Sequence, residues 1–294
     1  AENSNPCGRS TASNLPTPPT LSIVCLLPLL NIVAISFSSS AAVEGNMVGL
    51  IPVGFSTAAY EKILEDSQFW HSFLISVERV VLALIINFVL IVLMAYPLSK
   101  TNAQFRGRNI YANLMIFAML FNGGMIPTFL VVKSYGLLNT VWALVLPGAV
   151  PIFNVILVMN FFAAVPKELE EAAFIDGANP LQVLTKIFIP ISKPVLATVS
   201  LFSIVGSWND FYSGLIYMSK ATYYPLMTYI QSLQINVEDL IKQGNLSAVV
   251  DSAALGNTNL NAAKIVVAVI PLLLIYPLLQ RYFVSGIVVG SVKG

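Results

Sequence analysis

The chain has 294 residues, of which 56% are apolar and only 10% charged, with a formal net charge of +1 and a mean hydropathy of +0.79. A soluble domain carries about 25% charged residues, so this composition excludes a soluble enzyme and a disordered chain, and the near-neutral balance excludes a nucleic-acid binder, which needs a basic surplus. Cys7 and Cys25 fit no metal spacing and no disulfide scaffold in a chain of this size, and His71, the single histidine, cannot form a His-based metal site alone. An all-α polytopic membrane protein remains.

In chain order, Ala1–Thr20 is polar, rich in Ser, Asn and Pro, and lacks the basic start of a signal peptide; it reads as a disordered tail. Six apolar stretches then predict six transmembrane helices, because in hydrocarbon each backbone amide must be bonded within its own segment. They are Leu21–Phe37, short and holding Pro28 and Asn31; Val80–Leu98; Ile110–Val132; Ser134–Pro166; Pro194–Met218, interrupted only by Asp210; and Ile265–Val284 around Arg281. The expected organisation is a tail at 1–20, a first helix with an outer segment at 21–70, a five-helix core at 71–284 and a tail at 285–294. The loop Ser99–Asn109 carries Lys100, Arg106 and Arg108 with no acidic residue, which predicts a cytoplasmic position. Alternation then puts 164–193 and both termini in the cytoplasm.

The stretch 165–193 predicts two short helices. Pro166 suits a helix start, Glu168, Glu170 and Glu171 favour the positive N-terminal end, and Gly177 stops the helix. Asn179 is placed to cap a second helix that opens at Pro180 and closes at Pro190. Leu169, Ala172 and Ala173 give the first helix a narrow apolar stripe; Leu181, Leu184 and Phe188 give the second another. A compact knob of this kind suits a cleft in a soluble partner. No G-x-x-x-x-G-K-[ST] occurs, so the chain has no phosphate-binding loop. Transported solute would need a gradient or a second polypeptide as its energy source, and the scarcity of ionisable groups inside the spans favours the second polypeptide.

Glu171-Ala172-Ala173, Gly177, Ile187 and Ile189-Pro190 resemble, at the family's spacing, the EAA loop of binding-protein-dependent ABC importer permeases. The family usually has Leu where Ile189 stands. Trp208-Asn209-Asp210-Phe211 and the ending Gln280–Gly294 look like the carbohydrate branch, on the side of the second permease of maltose-type importers. Phe121–Pro127 followed by Gly136–Thr140 looks like the subgroup handling oligosaccharides from polysaccharide breakdown, the neighbourhood of alginate importers. The resemblance implies a type I ABC importer permease fold and an inner-membrane position. It implies a different second permease subunit, two ATPase subunits that hold ATP and Mg, an extracytoplasmic sugar-binding protein and a carbohydrate substrate in a lipid bilayer. No cofactor is expected on this chain, and no covalent step.

By the same resemblance Glu170, Glu171, Ala172, Ala173, Asp176 and Gly177 form the ATPase-coupling set, with Glu171 meeting a basic group, Ala172 permitting close packing and Gly177 making the turn. Asn122, Asn154, Trp208, Asn209 and Asp210 are candidates for the substrate path, since aromatic faces stack on sugars and amide or carboxylate oxygens accept hydroxyl protons. The other reading of Asp210 and its neighbours is glue between helices. Asn122, Gly123, Gly124 and Pro127, and then Pro147 and Pro151, interrupt two spans and serve either as gate hinges or as tolerated kinks. The long outer segment 219–264, with Tyr223, Tyr224, Asn245 and Asn257, either docks the binding protein or is a passive lid. Tyr60–Phe69 is predicted to lie along the surface as a short amphipathic helix. The rivals are a gradient-driven sugar carrier and an ABC permease for amino acids or anions.

Overall fold

A computed structural model describes residues 18–233 and 258–290, with side chains for 24–233 and 258–277. Asn245 and Asn257 therefore lie outside the described residues, as do 1–17 and 291–294. The described residues belong to two compact units, one within Ala1–Lys62 and Asn257–Val266, the other within Ile63–Gly256 and Val267–Gly294. No strand occurs among them.

The first unit is built on α1 (Pro18–Ser36) and α2 (Ser40–Glu44). Ser39 caps α2 by accepting from the Ala42 amide. Asn31, the polar residue inside the first apolar stretch, donates to the Gly49 carbonyl at 2.7 Å, so the loop after α2 satisfies it. Asn259 donates to the Ser38 carbonyl and to Ser40 Oγ, each at 3.3 Å. The predicted surface helix at 60–69 is instead α3 (Ala58–Glu65), which stops before Asp66.

In the second unit Asp66 starts α4 (Ser67–Leu98), accepting from the Phe69 amide at 3.0 Å. The stretch expected at Val80–Leu98 is thus the last part of a helix of 32 residues. Next come α5 (Arg108–Leu120) and α6 (Met125–Ser134), bent by 111° at Phe121–Gly124. Then α7 (Val141–Val145), a tight turn at Leu146–Gly148 and α8 (Ile152–Ala163) form a pair bent by 47°. Both breaks fall where Gly and Pro remove helix bonds or helix geometry.

The chain continues through α9 (Lys167–Ile175), α10 (Pro180–Val183), a wide π-turn at Leu184–Phe188 and α11 (Ile189–Ile191) into α12 (Lys193–Asn209). A break at Asp210–Phe211 precedes α13 (Tyr212–Tyr217). The last helix, α14 (Thr258–Gly290), includes Pro271 and Pro277. Among the described residues α4 and Thr258–Pro277 are each long and apolar enough to cross a membrane, and counting each bent pair as one span gives up to five. Helix α1 adds the shorter apolar stretch Val24–Ser36. Each of the six expected stretches falls on one of these elements.

The core of the second unit lies where α4 packs on α8 and α12. Ile91, Val92, Ala95 and Leu98, at helical spacing on α4, meet Val155, Val158 and Phe162 of α8 and Val195, Leu196 and Val199 of α12. This packing fixes the two regions that carry the candidate functional residues.

Candidate functional site

The knob at 166–191 is assembled by local chemistry. Gly177 has φ +81°, a left-handed conformation that a Cβ disfavours, and this turns the chain out of α9. Asn179 then makes a reciprocal cap: its Oδ1 accepts from the Gln182 amide and Gln182 Oε1 accepts from the Asn179 amide, both at 2.9 Å. The second helix differs from expectation past that point. Pro190 does not close it but sits inside α11, and the turn before it is wound wide. Pro190 offers no N–H to the residue four before it and its ring crowds that carbonyl, which accounts for the π-turn.

The two faces of α9 differ. Leu169, Glu171, Ala172, Phe174, Asp176 and Gly177 are exposed, and Ile175 is 85% exposed, while Ala173 packs against the core. Glu170 points the other way and is only 8% exposed. Expected among residues facing a partner, it is instead held inward by Lys100, with Nζ 2.7 Å from Oε1 and 2.8 Å from Oε2. Lys100 Nζ also lies 4.1 Å from the Tyr96 ring centroid and 4.2 Å from that of Phe188, within cation–π range. Burial pushes the Lys100 ammonium below its ordinary value, while the Glu170 carboxylate acts in the opposite direction.

A second polar constellation stands between α4, α7–α8 and α12. It borders a cavity of about 250 Å³ lined by Arg79, Asn87, Asn154, Ser203, Ser207 and Asp210, among others. Arg79 donates from Nη1 to the Asp210 carbonyl at 2.9 Å and from Nη2 to its carboxylate. The other carboxylate oxygen accepts from the Ser213 amide at 3.0 Å and caps α13. Buried Arg79 Nε has no partner among the described residues. With its amide oriented to suit its neighbours, Asn87 accepts from Ser203 Oγ at 3.3 Å and donates to the Ala149 carbonyl at 3.0 Å. That carbonyl lies in the break between α7 and α8. Among the described residues that line the cavity, Ser203, Ser207 and Ser213 offer hydroxyls and Asn87 and Asn154 amides beside apolar residues such as Leu144, Val145 and Phe202, and Arg79 is paired with Asp210.

The other expected path residues separate. Trp208 is buried, donates from Nε1 to the Ala268 carbonyl at 3.0 Å and meets Phe73 edge to face at 5.7 Å; it packs helices. Asn209 is exposed beside it. Asn122 is also exposed, accepting from the Gly124 amide at 2.9 Å. Asn154 is buried and lines the cavity with Asp210. Tyr223 is exposed, whereas Tyr224 packs against a small core of Val132, Ala143, Leu144, Tyr217 and Met218.

Residues 76–289 match the family described as binding-protein-dependent transport system inner membrane component. The chain belongs to that family. Its members are transport subunits rather than enzymes. The chain is 40% identical over 271 residues to Protein LplC of Bacillus subtilis (strain 168), covering 92% of this chain and 90% of that one. It is also 40% identical over 272 residues to the polygalacturonan/rhamnogalacturonan transport system permease protein YtcP of the same organism, covering 92% and 94%. A chain in the crystal structure of a bacterial ABC transporter involved in import of the acidic polysaccharide alginate superposes with a TM-score of 0.80 and 34% identity, covering 90% of this chain and 93% of that one. The all-helical arrangement is thus the type I ABC permease fold.

Sequence reasoning missed three residues of these sites. Arg79 was legible only as a charge at a span edge, although a lone carboxylate in a span calls for a counter-charge. Asn87, a polar residue in the apolar run of α4, and Lys100, in the basic loop, gave no sign of which distant group each one meets.

Proposed function

We propose that this chain is one half of the membrane channel of an ATP-driven importer for an oligosaccharide released from a polysaccharide, a uronate-containing one above all. The similarity to a polygalacturonan/rhamnogalacturonan permease over 92% of this chain carries the reading, and the likeness to the alginate importer chain supports it. The chain crosses the inner membrane six times with both termini in the cytoplasm, pairs with a different permease, and works with two ATPase subunits and an extracytoplasmic sugar-binding protein. ATP and Mg belong to the ATPases; this chain holds no cofactor.

In this scheme the exposed face of α9, with Leu169, Glu171, Phe174 and Ile175, enters the ATPase groove. ATP binding closes the ATPases, α9 follows, and the helices around the cavity of Arg79, Asn154 and Asp210 open outward to receive sugar; hydrolysis resets them. A cavity of about 250 Å³ that mixes apolar walls with Ser203, Ser207, Asn87 and Asn154 and a paired Arg79–Asp210 suits a sugar ring with its waters, each water taking roughly 30 Å³. Recognition of the acid groups then falls to the partner permease and the binding protein. The segment after Met218, which includes exposed Tyr223, faces the binding protein.

The test is reconstitution of the complete complex in proteoliposomes with labelled oligogalacturonate, a neutral malto-oligosaccharide and an amino acid as probes. Uptake of oligogalacturonate that requires ATP and the binding protein is expected. Uptake by the isolated chain under an ion gradient, or ATP-driven uptake of the amino acid alone, would overturn the reading.

A further inference from the structure

The pair Lys100–Glu170 joins residues 70 positions apart, and its side chains are only 12% and 11% exposed. It is unlike a solvated ion pair, which contributes little, because it is enclosed. Tyr96 of α4 and Phe188 of the π-turn flank the ammonium, their rings 5.1 Å apart and edge to face. Phe188 in turn meets Phe162 of α8 at 5.4 Å. The covalent route from α9 toward the cavity is compliant by comparison. It runs through the π-turn and then an 84° bend between Pro180–Ile191 and Lys193–Asn209.

Helix α4 offers a stiffer route. It is continuous from Leu98, two residues before Lys100, back to Arg79, roughly 28 Å at 1.5 Å per residue. Arg79 grips Asp210 at the break between α12 and α13. One helix is thus fastened near one end to α9 and farther along to the cavity wall.

We infer that Lys100 and Glu170 are positioning residues that transmit displacement of α9 to α4, and through Arg79 to the cavity. Glu170 thereby acts inward while its neighbour Glu171 remains on the exposed face. The inference rests on the proposed seating of α9 on an ATPase subunit. An aromatic clasp holds the linkage in one geometry, so that a push on α9 is not lost in side-chain motion.

The test uses the complete importer with its partner permease, ATPases and binding protein, in Glu170→Gln, Lys100→Met and the swapped Lys100→Glu/Glu170→Lys forms. The readout is ATP hydrolysed per oligosaccharide taken up. In the single variants the complex is expected to assemble and hydrolyse ATP within about twofold of the parent, with uptake falling about tenfold, so that the ratio rises about tenfold. The swapped pair should restore at least half of the uptake. An unchanged ratio in assembled Glu170→Gln complex overturns the linkage. So does loss of the ATPases from both single variants with assembly and uptake recovered together in the swap, which would make the pair a staple of the fold. Cross-linking from Ile175→Cys to the ATPase reports seating separately: its absence in an otherwise unaltered complex rejects the seating, whereas its presence with an unchanged ratio rejects the linkage alone.

Discussion

Asp210 does two jobs with its two oxygens, one holding Arg79 and the other capping α13. With side-chain exposures of 4% for Arg79 and 29% for Asp210, removal of one partner leaves the other charged and poorly solvated. Arg79→Ala is expected to lower stability by about 3 kcal/mol, the lower end of buried-pair losses, because Asp210 keeps some solvent. Arg79→Ala/Asp210→Asn should recover a part of that, since the amide still caps α13 without an orphaned charge; thermal midpoints of the purified protein in detergent decide it. Gly214 is constrained differently: a Cβ there would stand 2.1 Å from Thr228 Oγ1. Thr228 is tied by donating to the Phe211 carbonyl at 2.8 Å and cannot swing clear. Gly214→Ala should therefore cost about 1–3 kcal/mol in the same measurement, with Gly214→Ala/Thr228→Ala restoring a share.

Among elements, the α9–α11 knob depends on its cap. Asn179→Ala removes one half of a reciprocal bond pair and should cost about 1 kcal/mol, confined to 179–191 and read as faster amide hydrogen exchange there than in α12. This knob was the most legible element in the sequence, because Gly177, Asn179 and Pro180 act over a few residues and each leaves a local mark. The break at Phe121–Gly124 was legible for the same reason. The start of α4 was not: Ser67–Arg79 mixes His71, Glu78 and Arg79 with apolar residues and lacks the unbroken hydropathy by which spans are recognised. The π-turn escaped notice because a proline signals a stop as readily as a widened turn. The ion pairs escaped because separations of 70 and 131 residues carry no periodic signal. Asp210 stands out in the sequence as a carboxylate inside an apolar run, and in the structure it bonds Arg79 of another helix and borders the cavity.

At the scale of the whole molecule, the scarcity of charge that identified a membrane protein also explains what the surface looks like. Ile110, Leu114, Phe117 and Leu120 of α5 and Ile126 and Leu130 of α6 are all exposed, a surface suited to lipid or to a second permease rather than to water. Buried polar groups such as Arg79, Asn87, Asn154 and Ser203 stand instead around the cavity, and Glu170 lies beneath the knob.

The pairing of Arg79 with Asp210 also bears on biosynthesis. The guanidinium leaves the ribosome 131 residues ahead of its carboxylate, which at about 5–20 residues per second is a delay on the order of ten seconds. During that interval the nascent polypeptide carries an uncompensated cation. Its place at the margin of the apolar run of α4, rather than at mid-depth, lets it reach headgroup water while it waits.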